Sequence, residues 1–121
     1  MTIFEGLLWL TLNVYHEARS EPQLGQIAIA QVTLNRAKKD RLSIEDVVRK
    51  PHQFSWTMDK NSFFPEDPKA FLECMESVVI ALQDDDITKG STHYHLTSVS
   101  PNWASEYTFV EQIGSHRFYR Q

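Results

Sequence analysis

Three groups of side chains have the types and spacing that chemistry needs. Glu17 closes a largely apolar run that ends Tyr15-His16-Glu17-Ala18-Arg19. On a helix, a low-dielectric neighbourhood and the unpaired carbonyls of the C-terminal turn would both disfavour its ionised form. A carboxylic acid that keeps its proton near neutral pH can act as a general acid toward a leaving oxygen. Arg19 and Glu21 act on it with opposite signs, and the same sequence also fits a solvated Glu at a helix end. The second group is Thr92-His93-Tyr94-His95, which on a strand sends both histidines to one face and Thr92 and Tyr94 to the other. With His116 these make three imidazoles, which suits a zinc site or, without metal, a polar hydrogen-bonding groove. The third group is aromatic: Phe54 and Trp56 flank Ser55, and Trp103 follows Pro101-Asn102. Rings among polar side chains can stack on the apolar faces of sugars, or can form a core beneath a long loop.

Periodicity sets the elements that must position these groups. Phe4, Leu7, Leu8, Leu12 and Tyr15 fall at helical spacing from Ile3 to about Ala18, with Trp9, Leu10 and Val14 widening the stripe toward a buried helix. Ser20 and Gln23 fit a capping box, with Pro22 in the first turn, for a second helix to about Lys38. Ser43 and Asp46 repeat the signal for a short third helix ending near Lys50, stopped by Pro51. His52 to Pro65 has no period and reads as loop. Asp67-Pro68 then starts a helix whose stripe runs through Phe71, Cys74, Met75, Val78 and Leu82 to about Gln83, leaving Asp84, Asp85 and Asp86 as solvated loop. After Gly90 the residues favour strands, with Gly114-Ser115 as a turn between two of them. Helices followed by a small antiparallel sheet near the C-terminus is an α+β layout.

Composition narrows the classes of function. The chain of 121 residues reads as one domain, residues 1–121, and its 41% hydrophobic content is enough for a core. Twelve Lys and Arg against 16 Asp and Glu give a net charge of −4, which argues against nucleic acid as partner. The apolar stretches are shorter than the ~20 residues a bilayer span needs, so no membrane role is expected. The N-terminus lacks a basic region and cleavage site, so no secretory signal is read and synthesis in a cytoplasm is expected. The lone Cys74 excludes an internal disulfide and reads as a buried spectator. Neither a Gly-rich phosphate loop, a nucleophile elbow, a Cys/His dyad nor a His-Glu-x-x-His motif is found.

Longer motifs carry a resemblance. Asn13-Val14-Tyr15-His16-Glu17-Ala18-Arg19-Ser20-Glu21-Pro22, Gly25-Gln26-Ile27-Ala28, Ala30-Gln31-Val32 and Leu34-Asn35-Arg36 resemble the opening motif of the SleB-like cell wall hydrolases, the spore-cortex-lytic enzymes. Gln53-Phe54-Ser55-Trp56, Thr92-His93-Tyr94-His95, Pro101 with Trp103-Ala104, and Ile113-Gly114 with His116 and Phe118-Tyr119 continue it in order, from about Leu12 to Tyr119. Ser20 stands where Gly is usual and Asn102 where Pro is common. The resemblance implies a mainly helical, lysozyme-like and lytic-transglycosylase-like core. It also implies cleavage of the β-1,4 bond between N-acetylmuramic acid and N-acetylglucosamine, with Glu17 as the catalytic acid.

Counting carboxylates favours transglycosylation to 1,6-anhydromuramic ends, because a two-carboxylate glycosidase needs a partner at roughly 5 Å or roughly 6.5–9.5 Å from the acid. Glu21 is the candidate second carboxylate for the muramidase alternative. The glycan groove is expected from Gln53, Ser55, Trp56, His93, Tyr94 and His95, with Trp103 and His116 further out. No cofactor or metal is implied, the partners are peptidoglycan glycan strands, and a monomer is expected. A minimal domain without leader or wall-binding module looks like a phage endolysin, held in the host cytoplasm until release to the wall. A non-catalytic glycan-binding module and a zinc hydrolase using His93, His95 and His116 are the alternatives from other classes.

Overall fold

Three helices supply most of the core: the first and last bury apolar stripes, and the middle one is buried on every side from Gly25 to Thr33. α1 (Ile3–Ala18), α2 (Gln23–Asp40) and α4 (Pro68–Gln83) pack together, and the short α3 (Ile44–Arg49) sits against α1 and α2. The computed structural model describes residues 2–50, 54–58 and 63–121. Leu10, Val14, Ile29, Val32, Cys74 and Val78 are fully enclosed, each aliphatic side chain among them worth ~1.5–3 kcal/mol of burial. No helix among the described residues is long and apolar enough to cross a membrane.

Two of the expected helix starts are made by the side chains that signal them. The Ser43 hydroxyl accepts from the Asp46 N–H at 3.1 Å and the Asp67 carboxylate from the Ala70 N–H at 3.1 Å. The capping box at Ser20 and Gln23 does not form: Pro22, with φ −58° and ψ 159°, is itself the N-cap of α2 and no side chain caps it. Ser20 lies two residues before that cap, out of reach of the first helical N–H groups. α1 also differs from the buried helix expected, since Ile3 is 94% and Phe4 75% exposed and Leu8 is exposed as well. Within the stretch expected to be loop, Ser55–Met58 forms one 3-10 turn.

The sheet is three antiparallel strands, β1 (His93–Leu96), β2 (Thr108–Ile113) and β3 (His116–Arg120), in the order β1-β3-β2. β2 and β3 form a hairpin turning at Gly114, whose φ of +58° suits glycine. Tyr94 pairs with Phe118 and Leu96 with His116, so Tyr94, Phe118 and His116 share the face turned to the helices. His93, His95, Arg117 and Tyr119 share the other.

The connection from α4 to β1 is gripped by α2. Gln31 donates to the Asp85 carbonyl and accepts from the Ile87 N–H, both at 3.0 Å, and one turn on Asn35 donates to Asp86 Oδ2 at 2.8 Å and to the Ser91 carbonyl at 2.9 Å. Asp84 and Asp85 are exposed as expected, but Asp86 is not free loop. Burial alone would raise its pKa; hydrogen bonds from Thr88, Asn35 and the Gly90 N–H outweigh it and hold the carboxyl below its ordinary range.

Candidate active site

Glu17 lies on the last turn of α1, where a helix leaves carbonyls without partners. Gln26, buried on α2, meets that need: its amide nitrogen lies 3.3 Å from the Ala18 carbonyl, 3.4 Å from that of Arg19 and 3.3 Å from that of Glu21. Its own oxygen accepts from the Ser77 hydroxyl of α4 at 2.7 Å. The end of α1 is thereby fixed to two other helices. Asn13, one turn earlier and fully buried, accepts from the Trp56 indole at 2.9 Å and donates to Thr33 at 3.3 Å. His16 stacks on the same indole at 4.4 Å between centroids.

The Glu17 carboxyl is half-buried and accepts a 2.6 Å hydrogen bond from the Tyr94 hydroxyl of β1. Burial raises its pKa above the ordinary carboxylate value, while the Tyr94 hydrogen bond and the positive charge of Arg36 pull the other way. The Tyr94 phenol is pushed well up, by burial first and by the neighbouring carboxylate second, so it stays a donor. Arg36 is itself anchored, its Nε donating to the Thr92 carbonyl and its guanidinium lying over the Phe54 ring at 5.4 Å. Burial favours the protonated form of an oriented carboxyl, and Tyr94 and Arg36 can stabilise the carboxylate once that proton has gone.

Glu21 is engaged elsewhere. Its Oε1 accepts from the Ser115 N–H at 2.8 Å and lies 3.4 Å from His116 Nδ1, so it ties the start of α2 to the β2–β3 turn. The 3.4 Å contact is within ion-pair reach but too poorly aligned to satisfy Nδ1 as a hydrogen bond. A Cβ at 114 would lie 2.6 Å from this oxygen, so a larger residue there would push the Glu21 side chain off the Ser115 N–H. The His116 ring meets the Tyr94 ring edge-on at 5.2 Å, so it backs the Glu17 donor. Burial lowers the His116 pKa, with Glu21 opposing.

The remaining candidates divide between layers instead of collecting in one groove. Trp56 is only 8% exposed and His116 is buried, so both stand behind the surface as supports. Ser55 is exposed, and Gln53 lies outside the described residues. His93 and His95 lie on the outer face of the sheet with Trp103, at 5.3 and 5.7 Å between centroids. His95 Nε2 is 2.9 Å from the Tyr119 hydroxyl and stacks on that ring. Because His116 points to the helices, the three imidazoles expected of a zinc site are split by the sheet, and among the described residues no group of three His, Cys, Asp or Glu could hold a metal. Arg36 and Gln26 were legible only as parts of longer motifs; nothing in their spacing marks them as partners of Glu17.

The family described as Cell Wall Hydrolase matches residues 20–119, beginning just after Glu17. The chain is 31% identical over 108 residues to the spore cortex-lytic enzyme of Halalkalibacterium halodurans, covering 87% of this chain and 32% of that protein. It is 32% identical over 113 residues to the spore cortex-lytic enzyme of Bacillus subtilis, covering 90% and 35%. It thus spans about a third of the length of these curated relatives. The catalytic domain of the Bacillus cereus SleB protein is similar in structure with a TM-score of 0.79 and 26% identity, over 96% of this chain and 91% of that one. The catalytic domain of the germination-specific lytic transglycosylase SleB from Bacillus anthracis shares the fold, with a TM-score of 0.81 at 24% identity over 95% and 93%.

Proposed function

Because the chain belongs to the cell wall hydrolase family, we propose that it cleaves the β-1,4 bond between N-acetylmuramic acid and N-acetylglucosamine as a lytic transglycosylase, with Glu17 as its acid and base. The observation that carries this reading is the Glu17 carboxyl itself: half-buried, shifted toward its protonated form by burial, and held by the Tyr94 hydroxyl at 2.6 Å. Glu17 gives its proton to the glycosidic oxygen as the C1–O bond breaks, releasing the 4-hydroxyl of the N-acetylglucosamine unit. The carboxylate left behind is stabilised by Tyr94 and Arg36 and takes the proton from the muramic 6-hydroxyl. That oxygen closes on C1, giving a 1,6-anhydro end. The nucleophile belongs to the substrate, so positioning replaces a water-activating base. Glu21, occupied with the Ser115 N–H, fits that economy better than it fits a second catalytic carboxylate.

Glu17→Gln keeps the shape but has no proton to give, so clearing of permeabilised cells should fall at least ~100-fold. The folded state raises the Glu17 pKa, so its stabilising contribution is complete below the unfolded value and lost as pH rises through the folded one. At neutral pH Glu17→Gln should therefore be at least as stable as the parent, and a loss of activity would not reflect unfolding. A folded variant that retains a tenth of the parent's activity would remove Glu17 from the mechanism. Digestion in heavy-oxygen water reads the product: unlabelled ends, lighter by one water than a hydrolysed end, are expected. Labelled reducing ends that vanish in Glu21→Gln would establish the muramidase alternative.

A further inference from the structure

The C-terminal end of α2, the end of α3 and the start of β1 frame a polar cleft of about 200 Å³. Arg36, Lys39 and Lys50 line it, with Asp40 as its one acidic side chain and Thr92, His93 and Gln121 as its wall. This excess of cations stands out in a chain of net charge −4. A helix C-terminus accounts for Lys39 in the last turn of α2. The C-cap position of α3 accounts in the same way for Lys50, but neither helix end accounts for Arg36, a turn earlier and half-buried. Among the described residues neither lysine has a carboxylate within ion-pair distance; Lys39 donates to the neutral Gln121 side chain at 2.7 Å. Arg36 has a buried Nη1 without an acceptor. The positive field of Arg36 and Lys39 also reaches His93, where it adds to burial in keeping the ring neutral.

Arg36 joins the cleft to the proposed reaction centre. Thr92 and His93 immediately precede Tyr94, whose hydroxyl holds Glu17, and the charge of Arg36 reaches both cleft and carboxyl. Muramic acid carries its only acidic substituents on the lactyl ether, as a free carboxylate or as the carboxylates of a peptide stem. We propose that this cleft is a carboxylate subsite, in which Arg36, Lys39 and Lys50 take the acidic group borne by a muramic residue of the bound strand. The proposal rests on the peptidoglycan reading above and adds to it which part of the substrate, besides the sugar backbone, the protein selects.

The test measures binding in the inert Glu17→Gln protein, so that turnover is not needed. Its probes are soluble peptidoglycan strands in three forms: with native stems, with all carboxylates converted to carboxamides, and with stems removed by an amidase to leave the lactyl carboxylate. Adding Lys39→Gln or Lys50→Gln should raise Kd for native strands about threefold each, the order of a partly exposed charge pair, and the effect should fade in high salt. Lys39→Arg should restore it. On carboxamide strands the gap between these variants and their parent should close. A lysine penalty on stripped strands equal to that on native ones shows that the cleft takes the lactyl carboxylate once the stem is removed as well as the stem's own; no penalty on stripped strands identifies the stem carboxylates as the ligand. A penalty that persists on carboxamide strands, no penalty on any strand, or an equal penalty from the distant Lys69→Gln overturns the subsite. A protein that shows this binding pattern, but whose parent with Glu17 intact cleaves none of the strands, refutes the catalytic reading and leaves the subsite standing.

Discussion

Removing the Tyr94 hydroxyl leaves the Glu17 carboxyl its burial but takes away the donor that favours ionisation. In Tyr94→Phe the carboxyl should hold its proton to higher pH, moving the alkaline limb of kcat/KM upward by about one unit, the scale of one hydrogen bond to a charged group. The sign follows from the proposed acid role: activity would fall as pH rises through the Glu17 pKa, and that pKa rises in the variant. kcat should drop about tenfold, because the carboxylate that must recover a proton is less stable and less well oriented. Arg36→Met should move the limb in the same direction by a smaller amount. An alkaline limb unmoved by Tyr94→Phe would separate the tyrosine from the proton transfer. Glu17 was readable as a candidate because its place at the end of an apolar helix is a local property. Its partners were not, since Tyr94 is 77 residues away and which strand faces the helix end depends on the sheet's packing.

At the scale of elements, the end of α1 depends on a single side chain from α2. Gln26→Leu keeps the volume and helix propensity but leaves the Ala18 and Glu21 carbonyls and the Ser77 hydroxyl without their buried partner. Denaturant unfolding should show a loss of about 2–3 kcal/mol, the cost of unsatisfied buried polar groups. Activity per folded molecule should also fall, because the turn that carries Glu17 is no longer held. A variant as stable as the parent would mean that water replaces the amide at no cost. The helices and the turn at Gly114 were legible because spacing, caps and turn residues act within three or four positions. The Ser20 box misled because Pro22 already provides an extended entry to α2. Gln26, Gln31 and Asn35 read as ordinary polar positions of a helix, and only the packing of α1, α4 and the loop after α4 turns them inward.

For the whole molecule, the outer sheet face makes stability depend on acid. Burial, reinforced by Arg36 and Lys39, lowers the His93 pKa from 6.5 to about 4. A depressed pKa gives a contribution that is complete above the unfolded value and lost as pH falls through the folded one. Stability should therefore decline between about pH 6.5 and pH 4, and His93→Gln should flatten that decline in thermal melts by about 1 kcal/mol, discounted for partial exposure of the ring. A slope unchanged by the substitution would place the acid sensitivity in other groups. The sequence alone determined the order of helices and strands, the caps at Ser43 and Asp67, the burial of Cys74 and the alternation that separates Tyr94 from His93 and His95. These follow from backbone periodicity and short-range hydrogen bonds, which need no knowledge of distant residues. Tertiary structure decided that Glu21 holds a hairpin, that Trp56 and His116 support the site from behind, that His116 parts from the other two histidines, and that Arg36 stands between Glu17 and a cationic cleft. Each depends on which surfaces meet when the helices close over the sheet, and burial and electrostatic neighbourhood exist only once they have met.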